Sequence, residues 1–282
     1  MKINCVIVTY NRLSLLKECI SALKNQTYKI NKIYIINNNS TDGTSDYLQE
    51  LIADSQFVII NLPQNIGGAG GFSEGIKRVV LDGCDWAWIM DDDTIPMNNA
   101  LEELVKGTTV AKNVGYVCSR VVWTDGMIHK MNIPRFDCEN KQHLPINYYS
   151  NLADVLLIRA ASFVSLLINS KAVREVGLPI KEFFIWGDDT EFTTRIYQHG
   201  YVCLYASQST VIHKTTENYI SQLQNAPVEA LWKFQYGFRN DIFLRRMRKK
   251  NFLFFISVIN AYRRVKAKLL LMLFLVSLSL GV

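Results

Sequence analysis

Three consecutive carboxylates, Asp91, Asp92 and Asp93, close an apolar run that begins at Trp86 and is stopped by Pro96. In an extended backbone residues i and i+2 point the same way, so Asp91 and Asp93 share a face and Asp92 takes the other. Two carboxylates on one face need a cation. Hard oxygen donors at a strand end suit Mg²⁺ or Mn²⁺, ions that keep positions open for water and phosphate oxygens. An acidic turn after a buried strand would use the same residues. A second acidic group, Asp188-Asp189-Thr190-Glu191, follows Trp186-Gly187 in the D-x-x-E form of a capping box. That pattern gives Asp188 and Glu191 the task of satisfying free helix N–H groups and leaves Asp189 free to point into a cleft. Ahead of both acidic groups in the chain lies the loop Asn65-Ile66-Gly67-Gly68-Ala69-Gly70-Gly71. Its glycines allow close backbone approach to a ligand, and it opens a helix whose N–H groups can face a diphosphate. The spacing is not G-x-G-x-x-G, so a dinucleotide-binding fold is the poorer reading, and a glycine-rich surface loop is the bland one.

The elements that must position these groups alternate. Ile3–Thr9 reads as a buried strand, and Leu13, Leu16, Ile20 and Leu23 recur at helical spacing. Strands over 32–37 and 57–61, helices over 44–51 and up to Leu81, and the strand ending at Asp91 follow. Such βαβ units predict an α/β fold with a largely parallel sheet, in which ligands bind outside the carboxyl ends of the strands. The polar loops Thr9–Arg12, Asn37–Gly43, Asn65–Gly71 and Asp91–Asp93 all fall at that edge. Further strands are predicted over 116–123, 162–169 and 201–205, with an irregular polar insertion over 124–150 and a helix ending at His199-Gly200.

Composition supports one catalytic body with an appendage. The 282 residues are 49% hydrophobic and 20% charged, enough for a deep core. The six cysteines are scattered without a C-x-x-C pair and read as small buried hydrophobes of a reducing compartment. The first residues lack the pattern of a signal peptide. Residues 233–282 hold eleven Lys or Arg against the single acid Asp241, a net +10 within an overall +6, so residues 1–232 carry −4. A boundary is therefore placed between a body at 1–228 and a basic, apolar helical tail at 229–282. The tail's apolar runs fall short of the ~20 residues that span a bilayer, and their flanking charge predicts helices lying on an anionic leaflet. A helical hairpin packed on the body is the alternative. No nucleic-acid partner is expected.

In chain order, Val8-Thr9-Tyr10-Asn11-Arg12, Asn37-Asn38-Asn39-Ser40-Thr41-Asp42-Gly43, the glycine loop, Asp91-Asp92-Asp93, Trp186-Gly187-Asp188-Asp189-Thr190-Glu191 and His213 resemble the inverting family-two glycosyltransferases of the GT-A fold. The resemblance covers about residues 3–240. Gly-Gly-Ala-Gly-Gly-Phe is similar to the galactofuranosyltransferase branch, with bacterial rhamnosyltransferases close by. The resemblance implies a nucleotide and donor site at Thr9, Asn11, Arg12, Asn37, Asn65, Gly67, Gly68, Gly70, Asp91 and Asp92. It implies Mn²⁺ or Mg²⁺ on Asp91, Asp93 and His213, and Asp189 as the base that takes the acceptor proton. The chain departs from the family at Asn37, where Asp is usual; an amide can still pair with a ring N–H or carbonyl. A lone His is also a common surface residue, and His129, His143 and His199 have no such context.

The implied activity is metal-dependent inverting transfer of a sugar, galactofuranose from UDP, to a glycan or lipid-linked glycan acceptor in cell-surface polysaccharide synthesis such as capsule or O-antigen. Trp123, Trp186 and Asp188 are the candidate acceptor contacts. The expected location is cytoplasmic, peripheral on the inner face of the plasma membrane, with a homo-oligomer open. Rhamnosyl transfer from a dTDP donor, a non-catalytic glycosyltransferase-like binding module, and a nucleotidyltransferase releasing pyrophosphate are the alternatives.

Overall fold

A computed structural model describes residues 1–137, 154–219 and 232–248, together with Ile256, Ile259 and Arg263. Most of the expected irregular insertion and of the terminal apolar runs, with Cys138 and His143, lie outside the described residues.

The first ninety residues fold as their patterns dictate. Strand β1 (Ile3–Thr9) is buried throughout, and α1 (Leu13–Lys24) buries Leu16, Cys19, Ile20 and Leu23, one stripe at helical spacing. Then come β2 (Lys32–Asn37), α2 (Thr44–Leu51), β3 (Phe57–Asn61), α3 (Gly67–Leu81) and β4 (Trp86–Asp91). These four strands pair in parallel in the order β3-β2-β1-β4. Side-chain alternation divides the core between the two faces of the sheet. Ile3, Cys5, Ile7, Ile33, Ile35, Trp88 and Met90 pack on one side, and Val6, Val8, Tyr34, Ile36, Ala87 and Ile89 on the other. The register sets Thr9 beside Asn37, Asn37 beside Asn61 and Val8 beside Asp91, so the loops after these strands leave at one level.

Beyond β4 the sheet becomes mixed. The remaining strands are β5 (Thr94–Pro96), β6 (Val114–Val122), β7 (Arg135–Phe136), β8 (Val155–Ala160), β9 (Leu166–Asn169) and β10 (Val202–His213). They extend the order to β9-β6-β10-β8-β7, with β5 antiparallel to β10. Helices α4 (Ala100–Gly107), α5 (Ser170–Val176), α6 (Asp188–Gln198) and α7 (Lys233–Arg248) complete the described elements. The result is the GT-A-like α/β fold.

Several sequence expectations change here. Pro96 does not stop the chain but closes β5, where it stands at a strand end and its missing N–H costs little. Strand β10 runs to His213 rather than ending near Tyr205, because a register shift between Ala206 and Thr210 restarts its pairing with β6. That irregularity is held by buried hydroxyls. Ser209 donates to Ala100 O at 2.8 Å and meets Ser119 Oγ at 2.7 Å, and Ser119 Oγ lies 2.6 Å from Ser165 Oγ. Strand β8 and helix α4 were not expected, and only 166–169 of the predicted 162–169 strand forms. Helix α7 falls in the expected tail, yet Phe234, Asn240 and Leu244 on it are buried against the body.

Candidate active site

The four loops expected to meet are bonded to one another. Thr9 Oγ1 donates to Asp92 Oδ2 at 2.7 Å, the Tyr10 N–H points to the same oxygen, and Arg12 reaches Asp92 Oδ1 at 3.4 Å and also Asp93 Oδ2. Asn11, at φ 53°, accepts the Thr41 N–H at 2.7 Å and donates its own N–H to Ser40 Oγ at 3.0 Å. Asn38 accepts from Ile66 N and donates to Gly67 O, both at 2.9 Å, which joins the second loop to the glycine loop.

Asn37 is buried and fully engaged inside this frame. Its amide donates to Ser45 Oγ at 3.0 Å and Asn61 Oδ1 at 2.8 Å, and its oxygen accepts the Ser40 N–H. Asn65 Oδ1 caps the Gly67 N–H at 2.8 Å. The glycines are used differently from expectation. A Cβ on Gly67 would lie 2.1 Å from Phe184 O, one on Gly71 2.5 Å from a Val8 methyl, and one on Gly70 2.7 Å from Ile66. These three approach the protein itself; Gly68, with nothing within 4 Å of an added Cβ, is the one that faces open space.

The acidic triplet divides as alternation implied, although only Asp91 belongs to the strand. Asp92 turns to the β1 loop, whereas ligand atoms of Asp91, Asp93 and His213 all lie within 4.8 Å of one another. The β5–β10 pairing accounts for His213, since it sets His213 opposite Thr94, next to Asp93, and Lys214 N donates to Asp93 O at 2.9 Å.

These three residues fit a divalent ion. His213 Nδ1 donates to Asn132 Oδ1 at 2.8 Å, and Asn132 is itself oriented by donating to Ser162 Oγ at 2.9 Å. A ring whose Nδ1 carries the proton presents the Nε2 lone pair to Asp93 Oδ1, 3.2 Å away, a buried oxygen with no well-formed hydrogen bond. Two facing acceptors at that distance need a shared proton or a cation. Two carboxylates with one imidazole suit Mn²⁺ or Mg²⁺, imidazole being the better tolerated by Mn²⁺.

The charges respond to burial and to each other. Loss of solvation, with the Asp93 charge adding, pushes Asp91 up to about 6 against the pull of His213, Arg12 and Lys233. Burial raises Asp92 to about 7 in spite of Arg12. Asp93 would also be raised by burial, but His213 and Arg12 hold it well below the usual carboxylate range. His129, whose ring lies 4.5 Å from that of His213 between centres at a tilt of 37°, is pushed down to about 4 by burial and by the neighbouring imidazole.

Asp188 and Asp189 begin α6 behind Gly187, which takes the N-cap position at φ 91°. The expected capping box does not form, because the N-cap is Gly187, which has no side chain, and Glu191 is committed to Arg195, with bonds of 2.8 and 2.7 Å. Asp189, expected to be free of helix N–H groups, instead accepts the Thr190 N–H at Oδ1, 2.5 Å away. Arg195 in turn holds Leu178 O at 3.0 Å. Asp188 is buried and its carboxyl is raised by lost solvation and by Asp189. Asp189 is partly exposed; burial raises its carboxyl against the pull of the Thr190 N–H and of Arg135. Of the candidate acceptor aromatics, Trp123 spends its indole N–H on Thr215 O at 2.9 Å, and Trp186, at φ 65°, meets Phe234 edge-on at 4.7 Å. Both remain partly exposed.

Sequence reasoning missed Asn38, Asn132, His129 and Lys233. Burial and the Arg12 charge lower the ammonium of Lys233, the first residue of α7, against the pull of Asp91 and Asp93, so a cation of the expected tail stands near enough to the carboxylates to feel their charge. None has a local pattern that separates it from an ordinary polar residue.

The family model described as Glycosyl transferase family 2 matches residues 5–177, more than half of the chain. The chain is 25% identical over 213 residues to the galactofuranosyltransferase GlfT1 of Mycolicibacterium smegmatis, covering 72% of this chain and 68% of the relative. It is 27% identical over 205 residues to GlfT1 of Mycobacterium tuberculosis, covering 69% of this chain and 64% of the relative. Among solved structures, GalNAc-T7 with UDP, GalNAc and Mn²⁺ superposes with a TM-score of 0.62 at 16% identity, covering 76% of this chain and 44% of that one. A mannosyltransferase from Pyrobaculum calidifontis with GDP-Man and Mn²⁺ gives 0.58 at 15% identity, covering 89% and 65%. These two likenesses concern the fold.

Proposed function

The chain belongs to glycosyl transferase family 2, and on that premise we propose that it moves galactofuranose from UDP-galactofuranose to a hydroxyl of a glycan or lipid-linked glycan, with inversion at the anomeric carbon. The sugar is suggested by the likeness to GlfT1 proteins and by the Gly67–Phe72 sequence. The observation that carries the reading is the convergence of Asp91, Asp93 and His213 at one edge of the sheet, with Asp188, the neighbour of Asp189, near enough for the Asp91 charge to help raise its carboxyl.

In this reading Asp91, Asp93 and His213 hold Mn²⁺ or Mg²⁺, whose chemistry there is to offset the charge that develops on a departing diphosphate. Arg12 and Lys233 add positive charge beside the same carboxylates. Gly68 and the first turn of α3 face the diphosphate, and Thr9, Asn11 and Asn37 act by shaping the nucleoside loops. Asp189 accepts the acceptor hydroxyl's proton as that oxygen bonds to the anomeric carbon and the C–O bond to the diphosphate breaks, its electron pair leaving on the phosphate. Trp123, Trp186 and Asp188 border the acceptor side.

The place of work we infer is the inner face of the plasma membrane. No helix among the described residues is long and apolar enough to cross a membrane. Trp232, Phe238, Ile242 and Phe243 are exposed at the start of a segment that carries +10, which favours peripheral attachment to anionic lipid.

The deciding experiment incubates the purified chain with UDP-galactofuranose, dTDP-rhamnose and other sugar nucleotides plus Mn²⁺ and an acceptor panel. Nucleoside diphosphate release that requires acceptor, with UDP-galactofuranose preferred, is expected. Preference for dTDP-rhamnose moves the donor assignment, and pyrophosphate release or no turnover with any donor overturns the transferase reading.

A further inference from the structure

Helix α7 lies in the segment that composition assigned to the tail, yet its most buried polar residue is fixed on the loop before the proposed base. Asn240 is 1% exposed, and its Nδ2 donates to the carbonyls of Phe183 at 3.0 Å, Ile185 at 3.1 Å and Trp186 at 2.7 Å. Arg239 adds contacts to Glu182 O at 2.7 Å and Phe183 O at 2.9 Å. The loop needs such support. Phe184 and Trp186 have φ of 64° and 65°, and Gly187 follows at 91°, conformations that side-chain-bearing residues hold only when the surroundings over-determine them.

The opposite side of the loop rests on the glycine loop. Phe184 O accepts the Ala69 N–H at 3.1 Å, and the space beside that carbonyl admits only a glycine at 67. On the α7 side, Gly237 leaves room for the Trp186 ring, whose Cε3 would lie 3.0 Å from an added Cβ. The backbone that delivers Asp188 and Asp189 is thus held between α7 and the first turn of α3. Two buried N–H groups shared among three carbonyls of a strained loop hold one backbone conformation, and their loss takes the amide partner from Ile185 O and Trp186 O, while Phe183 O keeps Arg239 and the Ile185 N–H.

We propose that Asn240 is a positioning residue for sugar transfer: through the carbonyls of Phe183, Ile185 and Trp186 it sets the place of Asp189 relative to the donor loop. This rests on the proposed function, since it assumes that Asp189 takes the acceptor proton. Asn240 touches no reacting atom, so its loss should act on the chemical step and leave donor binding in place. A displacement of about 1 Å in a reacting group costs ~10²-fold in rate.

The test is Asn240→Asp, nearly isosteric and without the amide donors, in the full chain. Expected are a kcat lowered ~10²-fold, Mn²⁺-dependent UDP affinity by calorimetry within about twofold of wild type, and faster amide hydrogen exchange across 183–189 with the rest of α6 unchanged. If Asn240→Asp does not accumulate folded, Asn240→Ser, with one shorter donor, is measured by the same criteria. Unchanged exchange at 183–189, or a folded variant with kcat within threefold of wild type, overturns the proposal. The exchange measurement needs no substrate, so it stands if the wild-type chain releases no nucleoside diphosphate, a result that would overturn the proposed function alone.

Discussion

Adjacent glycines at the start of α3 should respond oppositely to the same substitution. Gly67 has φ +75°, and an added Cβ would lie 2.1 Å from Phe184 O and 2.7 Å from its carbonyl carbon. Alanine in a left-handed conformation costs ~1–2 kcal/mol, and forcing apart packed backbone adds ~1–3 kcal/mol. Gly67→Ala should therefore lose about 3 kcal/mol, which at ~2–4 °C per kcal/mol for a chain of this size lowers Tm by about 6–12 °C. Gly68 lies in the same turn with nothing within 4 Å. Gly68→Ala should be neutral to stabilising, by up to ~1 kcal/mol through a less flexible unfolded chain. Its methyl, however, would stand in the space assigned to the diphosphate, so UDP affinity should fall about tenfold, equivalent to ~1.4 kcal/mol. Thermal unfolding and calorimetric titration with UDP and Mn²⁺ measure both quantities. A Gly68→Ala protein that binds UDP like wild type would show that the open side of α3 is not the donor side. A Gly67→Ala protein of unchanged Tm would refute the contact argument at Phe184.

Asp91→Asn and Asp93→Asn should each weaken Mn²⁺-dependent UDP binding by more than tenfold, and EDTA should stop turnover until Mn²⁺ or Mg²⁺ is restored; full activity in chelator would remove the metal from the mechanism. Asp92→Asn should act first on stability, by ~1–3 kcal/mol, because Asp92 is buried with Thr9, Tyr10 and Arg12 bonded to it; a variant of wild-type Tm would count against that assignment. Asp189→Asn should fold and bind UDP normally while transfer falls by ~10²-fold or more; a rate within a few-fold of wild type would move the base to Asp188. The Asp42 carboxylate, opposed by some desolvation, is held below its ordinary value by the Thr44 hydroxyl and the N–H groups of Leu13 and Thr44. A depressed carboxyl stabilises above its ordinary pKa and loses that contribution as pH falls through the folded value, so Asp42→Asn should cost ~1 kcal/mol or less at pH 7, given its exposure, and nothing near pH 2. A stability difference that persists into acid would contradict the linkage.

The legible parts of the chain are those whose signal is local. Period-two burial in β1, β2 and β4 and the stripe of Leu16, Ile20 and Leu23 on α1 each need only their own residues, and the crevice follows because parallel strands end at one level. The candidate metal group was legible as chemistry, from Asp91, Asp93 and a later His, but not as geometry. His213 reaches Asp93 only because β10 slips its register at Ser207–Ser209 and then pairs with a three-residue strand that ends in proline. A register shift held by Ser119, Ser165 and Ser209 leaves no periodic trace, since its three hydroxyls come from two strands and a turn far apart in sequence.

Where local rules misled, a long-range bond had displaced the local one. The D-x-x-E pattern at 188–191 predicts a capping box, but Glu191 has a better partner in Arg195, whose guanidinium also holds the carbonyls of Val176 and Leu178. A bidentate, largely buried ion pair outweighs one cap bond of ~1 kcal/mol. The same logic applies to the basic segment after residue 232. Charge counting sees eleven cations and favours an anionic surface over a hairpin packed on the body, whereas Asn240 and Leu244 on its first helix are buried and Asn240 is bonded to the 183–186 backbone. Net charge describes where a segment is drawn at long range; the few side chains it buries decide what it touches. Helix α7 therefore holds the loop before Asp188 with one face while Phe238 and Ile242 on it stay exposed, and a truncation that tests vesicle binding must begin after Arg248 if the support of that loop is to stay intact.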